Sequence, residues 1–362
     1  MYKKRTLFVI YSIYGGGAER QMQYILKYID RTKFEPHLFV FRLFGGESKL
    51  VPRDVPLYGI REGLVPRTFF AIFSLLKLLE KIKPDRIVSF MYPANLVTLF
   101  VGWLLGKKVI VGERTHLSAH FKECSFSFLW RPLVKFFYAK AGKITAVSGE
   151  VKSDLVRNFG LAPEKIEVIR SGADILWIRK KMLEKEAGPS GFVFTCGNLR
   201  SEKNHVFLLE AMAQLQGIPL VIAGGGREKE RRFLEKKAKE LDVNLTLAGF
   251  KENPYPLFRK AKVFVLTSRY EGFPNVVLEA MACGVPIAAV DCPGGIREII
   301  TPGETGVLVP PGDKDALAAA IKKIVNDDAF SRRLAENAEE RIREFDIRTT
   351  VKKYEEVILH SG

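Results

Sequence analysis

Two glutamates, Glu271 and Glu279, stand eight positions apart in a run that reads TSRYEGFPNVVLEAMACGVPIAAVDCPGG. The apolar residues Val263 to Leu266 precede it and have the character of a buried strand. A short Gly/Pro loop follows, Glu271-Gly272-Phe273-Pro274-Asn275, and opens a helix that carries Glu279 about one turn in. One carboxylate therefore sits on a loop tip and the other on the first turn of a helix. The N–H groups at that helix start attract phosphate. Carboxylates beside them suit the hydroxyls of a sugar or ribose. Taken singly, either glutamate could merely offset the helix dipole; the whole string points to a binding site.

Three further loops carry candidate chemistry. Gly15-Gly16-Gly17-Ala18-Glu19-Arg20 follows a first strand and precedes a helix. Its glycines permit close backbone approach to a ligand, and a tight turn would use them equally well. The string lacks the third glycine of a dinucleotide fingerprint and the Gly-Lys-Ser/Thr of a P-loop. Gly197-Asn198-Leu199-Arg200-Ser201-Glu202-Lys203-Asn204 ends another strand, and Arg200 with Lys203 is suited to a diphosphate. Gly224-Gly225-Gly226 also follows a strand, and the dense charge mix after it favours a structural turn. Asp313-Lys314-Asp315 has the D-x-D form of a metal-dependent sugar site. Asp313 precedes an Ala-rich helix, however, where aspartate is an ordinary N-cap. The histidines show no metal spacing. His116 alone draws notice, at the end of the strand Lys108–Gly112 beside Glu113, Arg114 and Thr115.

The elements around these loops alternate. Strand-like runs lie at Thr6–Ile10, Pro36–Phe41, Arg86–Phe90, Lys108–Gly112 and Lys143–Val147, and the first half closes near Lys165–Gly172. A charged, partly helical segment, 173–190, reads as a linker region. A second series runs through Gly191–Gly197, Ile218–Ala223, Val243–Leu247, Lys262–Leu266 and Val285–Val290. Apolar strands alternating with amphipathic stretches predict an α/β protein of two doubly wound, Rossmann-like domains. Ligands bind beyond the carboxyl ends of such strands, so two domains facing a central cleft are the expected arrangement.

Composition bounds the partners. The chain has 362 residues, 47% hydrophobic and 27% charged, which suits a globular protein with sizeable cores. No run reaches the roughly 18–20 apolar residues of a membrane span, and no signal-peptide pattern follows Met1-Tyr2-Lys3-Lys4-Arg5. Four scattered cysteines without CxxC spacing predict a reducing, cytoplasmic setting. The net charge of +16 is uneven: residues 1–170 hold 28 Lys and Arg against 14 Asp and Glu, and the rest hold 29 against 27. A basic first half calls for an anionic partner. Aromatic and basic residues interleave over Pro66–Lys83 and Phe121–Lys140. Such segments suit an anionic membrane surface, or equally core-facing helices with snorkelling lysines. No nucleic-acid recognition motif is present, and nucleic acid is not an expected partner.

Together these strings resemble glycosyltransferase family 4, the retaining transferases of GT-B fold. The resemblance runs the length of the chain through GGGAER, KIEVIRSGAD, GNLRSEKN, the block LAGFKENPYPLFRKAKVFVLTSRYEGFPNVVLEAMACGVPIAAVDCPGG and the final helix. Its specific part is the Glu-x7-Glu motif, here Glu271 and Glu279. The resemblance implies that Glu271 contacts the donor sugar, that Glu279 binds the nucleotide ribose, and that Gly272, Phe273, Pro274 and Asn275 hold sugar and phosphate. Lys203 matches the family lysine that grips the diphosphate. The family arginine position is Asn198 here, so Arg200 is the candidate substitute. Gly249, Phe250 and Lys251 resemble the base-binding edge. The loop Gly15, Gly16, Gly17 faces the expected cleft, and His116 with Arg114 is the candidate acceptor side.

On this resemblance residues 1–172 form the acceptor-binding domain and 191–343 the nucleotide-sugar domain, with 344–362 a terminal helix crossing back to the first. The implied chemistry is transfer with retention from a nucleotide-sugar, most simply a UDP-sugar, to a lipid-linked or cell-envelope saccharide. No metal or other cofactor is expected, because cations and helix N-termini stabilise the departing diphosphate. The implied location is the inner face of the cell membrane, held peripherally. A sugar-nucleotide epimerase of the same fold and a binding protein without turnover are the alternatives. The first would need acid and base residues in the first half that the sequence does not identify.

Overall fold

The computed structural model of the protein describes residues 3–43, 49–61, 67–124 and 127–361. Met1, Tyr2, Pro66, Ser125 and Phe126, which belong to segments singled out above, lie outside the described residues. The chain divides into two compact units: Met1–Ser171 with Ile347–Gly362, and Gly172–Asp346. Segment 173–190 thus lies inside the second unit, and the final helix inside the first.

The first unit is a parallel sheet in the order β3-β2-β1-β4-β5-β6-β7. Its strands are β1 (Lys4–Ile10), β2 (Phe34–Leu43), β3 (Leu57–Arg61), β4 (Arg86–Phe90), β5 (Ile110–Glu113), β6 (Lys143–Ala146) and β7 (Ile166–Val168). Helices α1 (Gly17–Tyr28), α2 (Arg67–Ile82), α3 (Tyr92–Leu104), α4 (Leu117–Glu123), α5 (Ser127–Tyr138) and α6 (Gly149–Phe159) connect them. Leu7 to Ile10 are wholly buried, as a central strand covered on both faces requires. The second unit repeats the plan in the order β10-β9-β8-β11-β12-β13. It contains α7 (Ile175–Lys181), β8 (Phe192–Cys196), α8 (His205–Met212), β9 (Leu220–Ala223), α9 (Glu228–Glu240), β10 (Leu245–Gly249), α10 (Tyr255–Lys260), β11 (Ala261–Leu266), α11 (Asn275–Ala282), β12 (Ile287–Val290), α12 (Ile296–Ile299), β13 (Val307–Val309), α13 (Lys314–Asn326) and α14 (Asp328–Arg341).

α15 (Ile347–His360) completes the first unit. Its Ile347, Val351, Tyr354, Val357 and Ile358 join the apolar core built from β1, α1 and β4. The Asp30 N–H donates to Glu355 Oε1 at 2.7 Å and Arg86 Nε donates to the Ile358 carbonyl at 2.8 Å. The strands anticipated from sequence are all present, with ends shifted by a few residues. Two edge strands, β3 and β13, were not anticipated; β13 is three residues set between Gly306 and Pro310. β3 carries Gly59, where a Cβ would stand 2.6 Å from the Val40 carbonyl oxygen.

In both sheets the connections reverse direction beside the first strand, between β1 and β4 and between β8 and β11. Such a switch point splays the two outgoing loops apart and opens a crevice at the carboxyl edge. Among the described residues no helix is long and apolar enough to cross a membrane.

Candidate active site

The switch point of the second unit lies between the loop after β8, which carries Lys203, and the loop after β11, which carries Glu271. The two loops are tied through backbone. The Arg269 N–H donates to the Glu202 carbonyl at 2.8 Å, and the Thr267 hydroxyl donates to the Lys203 carbonyl at 2.9 Å. Lys203 Nζ then donates to Glu271 Oε1 at 2.6 Å, and Ser268 Oγ donates to the same oxygen at 2.7 Å. The side chains of Lys203 and Glu271 are 24% and 13% exposed. Burial alone would pull the Lys203 ammonium down. The charge of Glu271 and its hydrogen bond outweigh that and hold it above the ordinary lysine value.

The Glu271 loop is clamped from a third segment. The Glu271 N–H donates to the Pro293 carbonyl and the Gly295 N–H to the Gly272 carbonyl, both at 2.9 Å. Gly294 between them has φ +125°, and a Cβ there would fall 1.7 Å from the Glu271 carbonyl oxygen. Phe273 is buried against Phe345, ring centroids 5.8 Å apart, and Pro274 caps α11. The loop therefore enters α11 on a fixed path, and the helix begins at Asn275. Glu279 is buried one turn in. The Pro293-Gly294-Gly295 string was part of the sequence block without a role; its glycine pair was the signal.

The loop after β8 rests on the triple glycine. A Cβ on Gly224 would meet the Gly197 carbonyl oxygen at 1.8 Å, one on Gly226 would meet Leu199 at 2.6 Å, and the Leu199 N–H donates to the Gly225 carbonyl at 2.7 Å. Gly224–Gly226 is thus a packing shelf under the loop. Buried His205 opens α8, its Nε2 3.3 Å from the Asn198 carbonyl oxygen. Burial holds this imidazole down near pKa 4, so it is neutral at physiological pH.

Arg200 is placed differently from Lys203. Its side chain is 70% exposed, with Nη1 3.9 Å from Glu202. Gly249, at φ +70°, ends β10 and accepts from the Gly224 N–H at 2.8 Å; Phe250 beyond it is exposed. Lys251 Nζ donates to Glu186 Oε1 at 2.9 Å. Asp313 caps α13 through the Ala316 N–H at 2.8 Å, as its position implies. Among the described residues no group of three or more His, Cys, Asp or Glu could hold a metal ion.

In the first unit, Gly15 has φ +80° and Gly16 is the N-cap of α1, where a Cβ would strike Glu19 Oε2 at 2.0 Å. Gly17 begins the helix. Two candidates also make structural contacts. His116 caps α4, its Nδ1 accepting from the Ala119 N–H at 3.4 Å and lying 3.6 Å from Asp154. Arg114 is buried; its Nη2 donates to Ser171 Oγ at 2.6 Å and its Nη1 to the Tyr354 hydroxyl of α15 at 3.4 Å.

Beside them is a network the sequence did not reveal. Glu113 Oε1 accepts from the N–H groups of Arg114 and Thr115 at 2.9 and 3.0 Å. Its Oε2 accepts from the Tyr138 hydroxyl at 2.7 Å, which in turn accepts from Asn95 Nδ2 at 2.9 Å. Complete burial pushes the carboxyl up to about 7. Partners from three separated segments make this network, so no local pattern announces it.

Two tandem Rossmann-type sheets, with a lysine–glutamate pair and a helix start at the switch point of the second, are the architecture of an α/β protein of GT-B type. Residues 15–175 match the family described as Glycosyltransferase Family 4, and residues 179–341 match Glycosyl transferases group 1. The chain is a GT-B-fold glycosyltransferase related to these two families.

It is 28% identical over 351 residues, 93% of this chain and 94% of the other, to a Campylobacter jejuni protein. That protein is named N-acetylgalactosamine-N,N'-diacetylbacillosaminyl-diphospho-undecaprenol 4-alpha-N-acetylgalactosaminyltransferase. An amylovoran biosynthesis glycosyltransferase of Erwinia amylovora, AmsD, is 24% identical over 95% of this chain and 96% of its own. Among solved structures, Anabaena HepE in complex with UDP and glucose superposes with a TM-score of 0.83 at 21% identity, over 98% of this chain and 99% of the other.

Proposed function

We propose that this protein is a retaining glycosyltransferase that moves a sugar from a UDP-sugar to a lipid-linked or cell-envelope saccharide. It would work peripherally at the cytoplasmic face of an anionic membrane. The observation that carries the reading is the Lys203–Glu271 pair at the switch point of the second sheet, beside the N-terminus of α11. A cation, a carboxylate and a helix start at the carboxyl end of the strands are what a diphosphate and its sugar would require. The Campylobacter relative's diphospho-undecaprenol acceptor and the UDP in the Anabaena structure support the choice of partners.

In this reading the second unit binds the donor and the first unit the acceptor. Lys203 turns from Glu271 to the diphosphate, joined by Arg200 and the N–H groups of Gly272, Phe273 and Asn275. Both hydrogen bonds to Glu271 fall on Oε1, so its Oε2 is the atom for a sugar hydroxyl. Glu279 takes the ribose hydroxyls, and Gly249 to Lys251 border the base. The bond from the anomeric carbon to the diphosphate breaks, and the diphosphate leaves with the electron pair. The acceptor oxygen then bonds to the same face of the sugar while its proton passes to the departing phosphate oxygen. Positive charge and oriented dipoles at the leaving group supply the stabilisation, and no metal is invoked.

The test is thermal unfolding in the presence of nucleoside diphosphates and their sugars, since a ligand of the folded state raises the midpoint. Stabilisation by UDP and one UDP-sugar is expected. A response confined to ADP or GDP would overturn the choice of base, and no response to any would overturn the donor site.

A further inference from the structure

Helix α5 is covered unlike any ordinary core helix. Of its twelve residues only Val134 and Tyr138 are buried. Leu129, Trp130, Leu133 and Phe136 all stand exposed, Phe136 at 51%. The end of α3 continues the surface with Trp103, 51% exposed, and Leu104. Lys140 joins the two helices, its ammonium 4.6 Å from the Phe136 ring centroid and 5.7 Å from that of Trp103. Phe100 and Phe137 pack edge to face beneath, centroids 6.0 Å apart. Contiguous exposed apolar surface of this kind marks an interaction site.

The charge around it selects the partner. No Asp or Glu occurs between Asp85 and Glu113, nor between Glu123 and Glu150. Over the same stretches Lys107, Arg131, Lys135 and Lys140 supply cations, while Lys143 already lies 3.6 Å from Glu167. A second copy of the chain would bring these cations against their own kind without a carboxylate to meet them. A bilayer carrying anionic headgroups satisfies both halves of the surface, acyl chains for the aromatic side chains and phosphates for the lysines.

We propose that the α3–α5 face of the first unit is a bilayer-docking surface for anionic lipid, with Trp103, Leu129, Leu133 and Phe136 at the acyl boundary and Lys135 and Lys140 on the phosphates. This deepens the membrane-surface part of the proposed function and rests on it for its setting. Trp130 lies on the same helix, its ring centroid 6.3 Å from that of Tyr92 at the carboxyl end of β4. The docking face therefore adjoins the edge of the sheet where the first unit would receive a lipid-borne acceptor.

The molecule carries its own probes. Of its three tryptophans two, Trp103 and Trp130, belong to the face, while Trp177 packs on Tyr255 in the second unit. With Trp177→Phe as background, phosphatidylglycerol–phosphatidylcholine vesicles containing brominated acyl chains should quench the fluorescence. The vesicles should also sediment the protein. Leu129→Ser/Leu133→Ser/Phe136→Ser should lower partitioning at least about tenfold. Lys135→Gln and Lys140→Gln should each lower it about fivefold at low salt. Circular dichroism and the UDP-induced shift in Tm are recorded on every variant, so loss of vesicle binding is separable from loss of the fold or of the donor site. Equal partitioning of the triple variant, absence of quenching, or a lipid-free dimer that leaves vesicles unbound would each overturn the assignment.

Discussion

Lys203→Met and Glu271→Gln should act on UDP in opposite directions. The Lys203 ammonium is held 2.6 Å from Glu271 Oε1, so in the proposed site a diphosphate must draw it away. Removing the lysine deletes a charge-assisted phosphate contact worth about 1.5–3 kcal/mol, or roughly 10- to 150-fold in UDP affinity. Uridine, which lacks phosphate, should lose little. Glu271→Gln removes the competing carboxylate and frees the ammonium, so UDP should bind as well as to wild type or better, by up to about tenfold, while sugar transfer is lost. Folding stability should respond to either change, because each strands one member of a largely enclosed pair. Full burial would cost about 3–5 kcal/mol, and partial exposure here reduces that to about 1–2 kcal/mol. Calorimetric titration with UDP and uridine, beside thermal unfolding of both single variants and the double variant, reads every term. Equal weakening of UDP and uridine by Lys203→Met would refute the phosphate role. So would a Glu271→Gln variant that loses UDP affinity as severely as the lysine variant, while a double-mutant coupling in stability below about 0.3 kcal/mol would refute the energetic pairing of Lys203 with Glu271.

Glu279→Gln should weaken UDP by about 1–2 kcal/mol, as loss of a charged hydrogen-bond partner requires; unchanged UDP affinity in the same titration would contradict the ribose assignment. Gly294→Ala places a methyl group against the Glu271 carbonyl at positive φ, and transfer should collapse with a fall in Tm of several degrees, about 2–3 kcal/mol. Asp313→Ala removes an N-cap and should cost about 1 kcal/mol in denaturant unfolding with turnover intact. Lost turnover would restore a role for the D-x-D string. Glu113 has its folded pKa raised from 4.5 to about 7, so the folded state binds its proton more tightly. Its contribution is therefore full below about pH 4.5 and is lost as pH rises to 7 and beyond. Glu113→Gln keeps the shape without the charge, and the difference in Tm between variant and wild type should grow across that window.

Much of the candidate site was legible because it is local. Strand, Gly/Pro loop and helix start follow one another between Val263 and Glu279, and backbone rules alone give their order and direction. The same holds for GNLRSEKN after β8 and for the Asp313 cap. The edge strands β3 and β13 were not legible: Gly59 interrupts the first, and the second is three residues set between Gly306 and Pro310. Arg114 and His116 show the other limit. Ser171 and Tyr354 hold Arg114, and α4 uses His116 as its cap, tasks that a polar string after a strand does not announce.

The order of apolar runs, glycine loops and charges thus determined two parallel sheets, the strand–loop–helix that carries Glu271 and Glu279, and the unequal distribution of positive charge. Each of these follows from neighbours in the chain. Only the tertiary structure decided that Lys203 meets Glu271 across 68 residues, and that Gly294 must be bare to let the Glu271 loop pass. It also decided that Tyr138 and Asn95 enclose Glu113, and that α5 turns its aromatic side chains outward. Those outcomes depend on which segments the sheet order brings side by side, and on what remains uncovered once they pack.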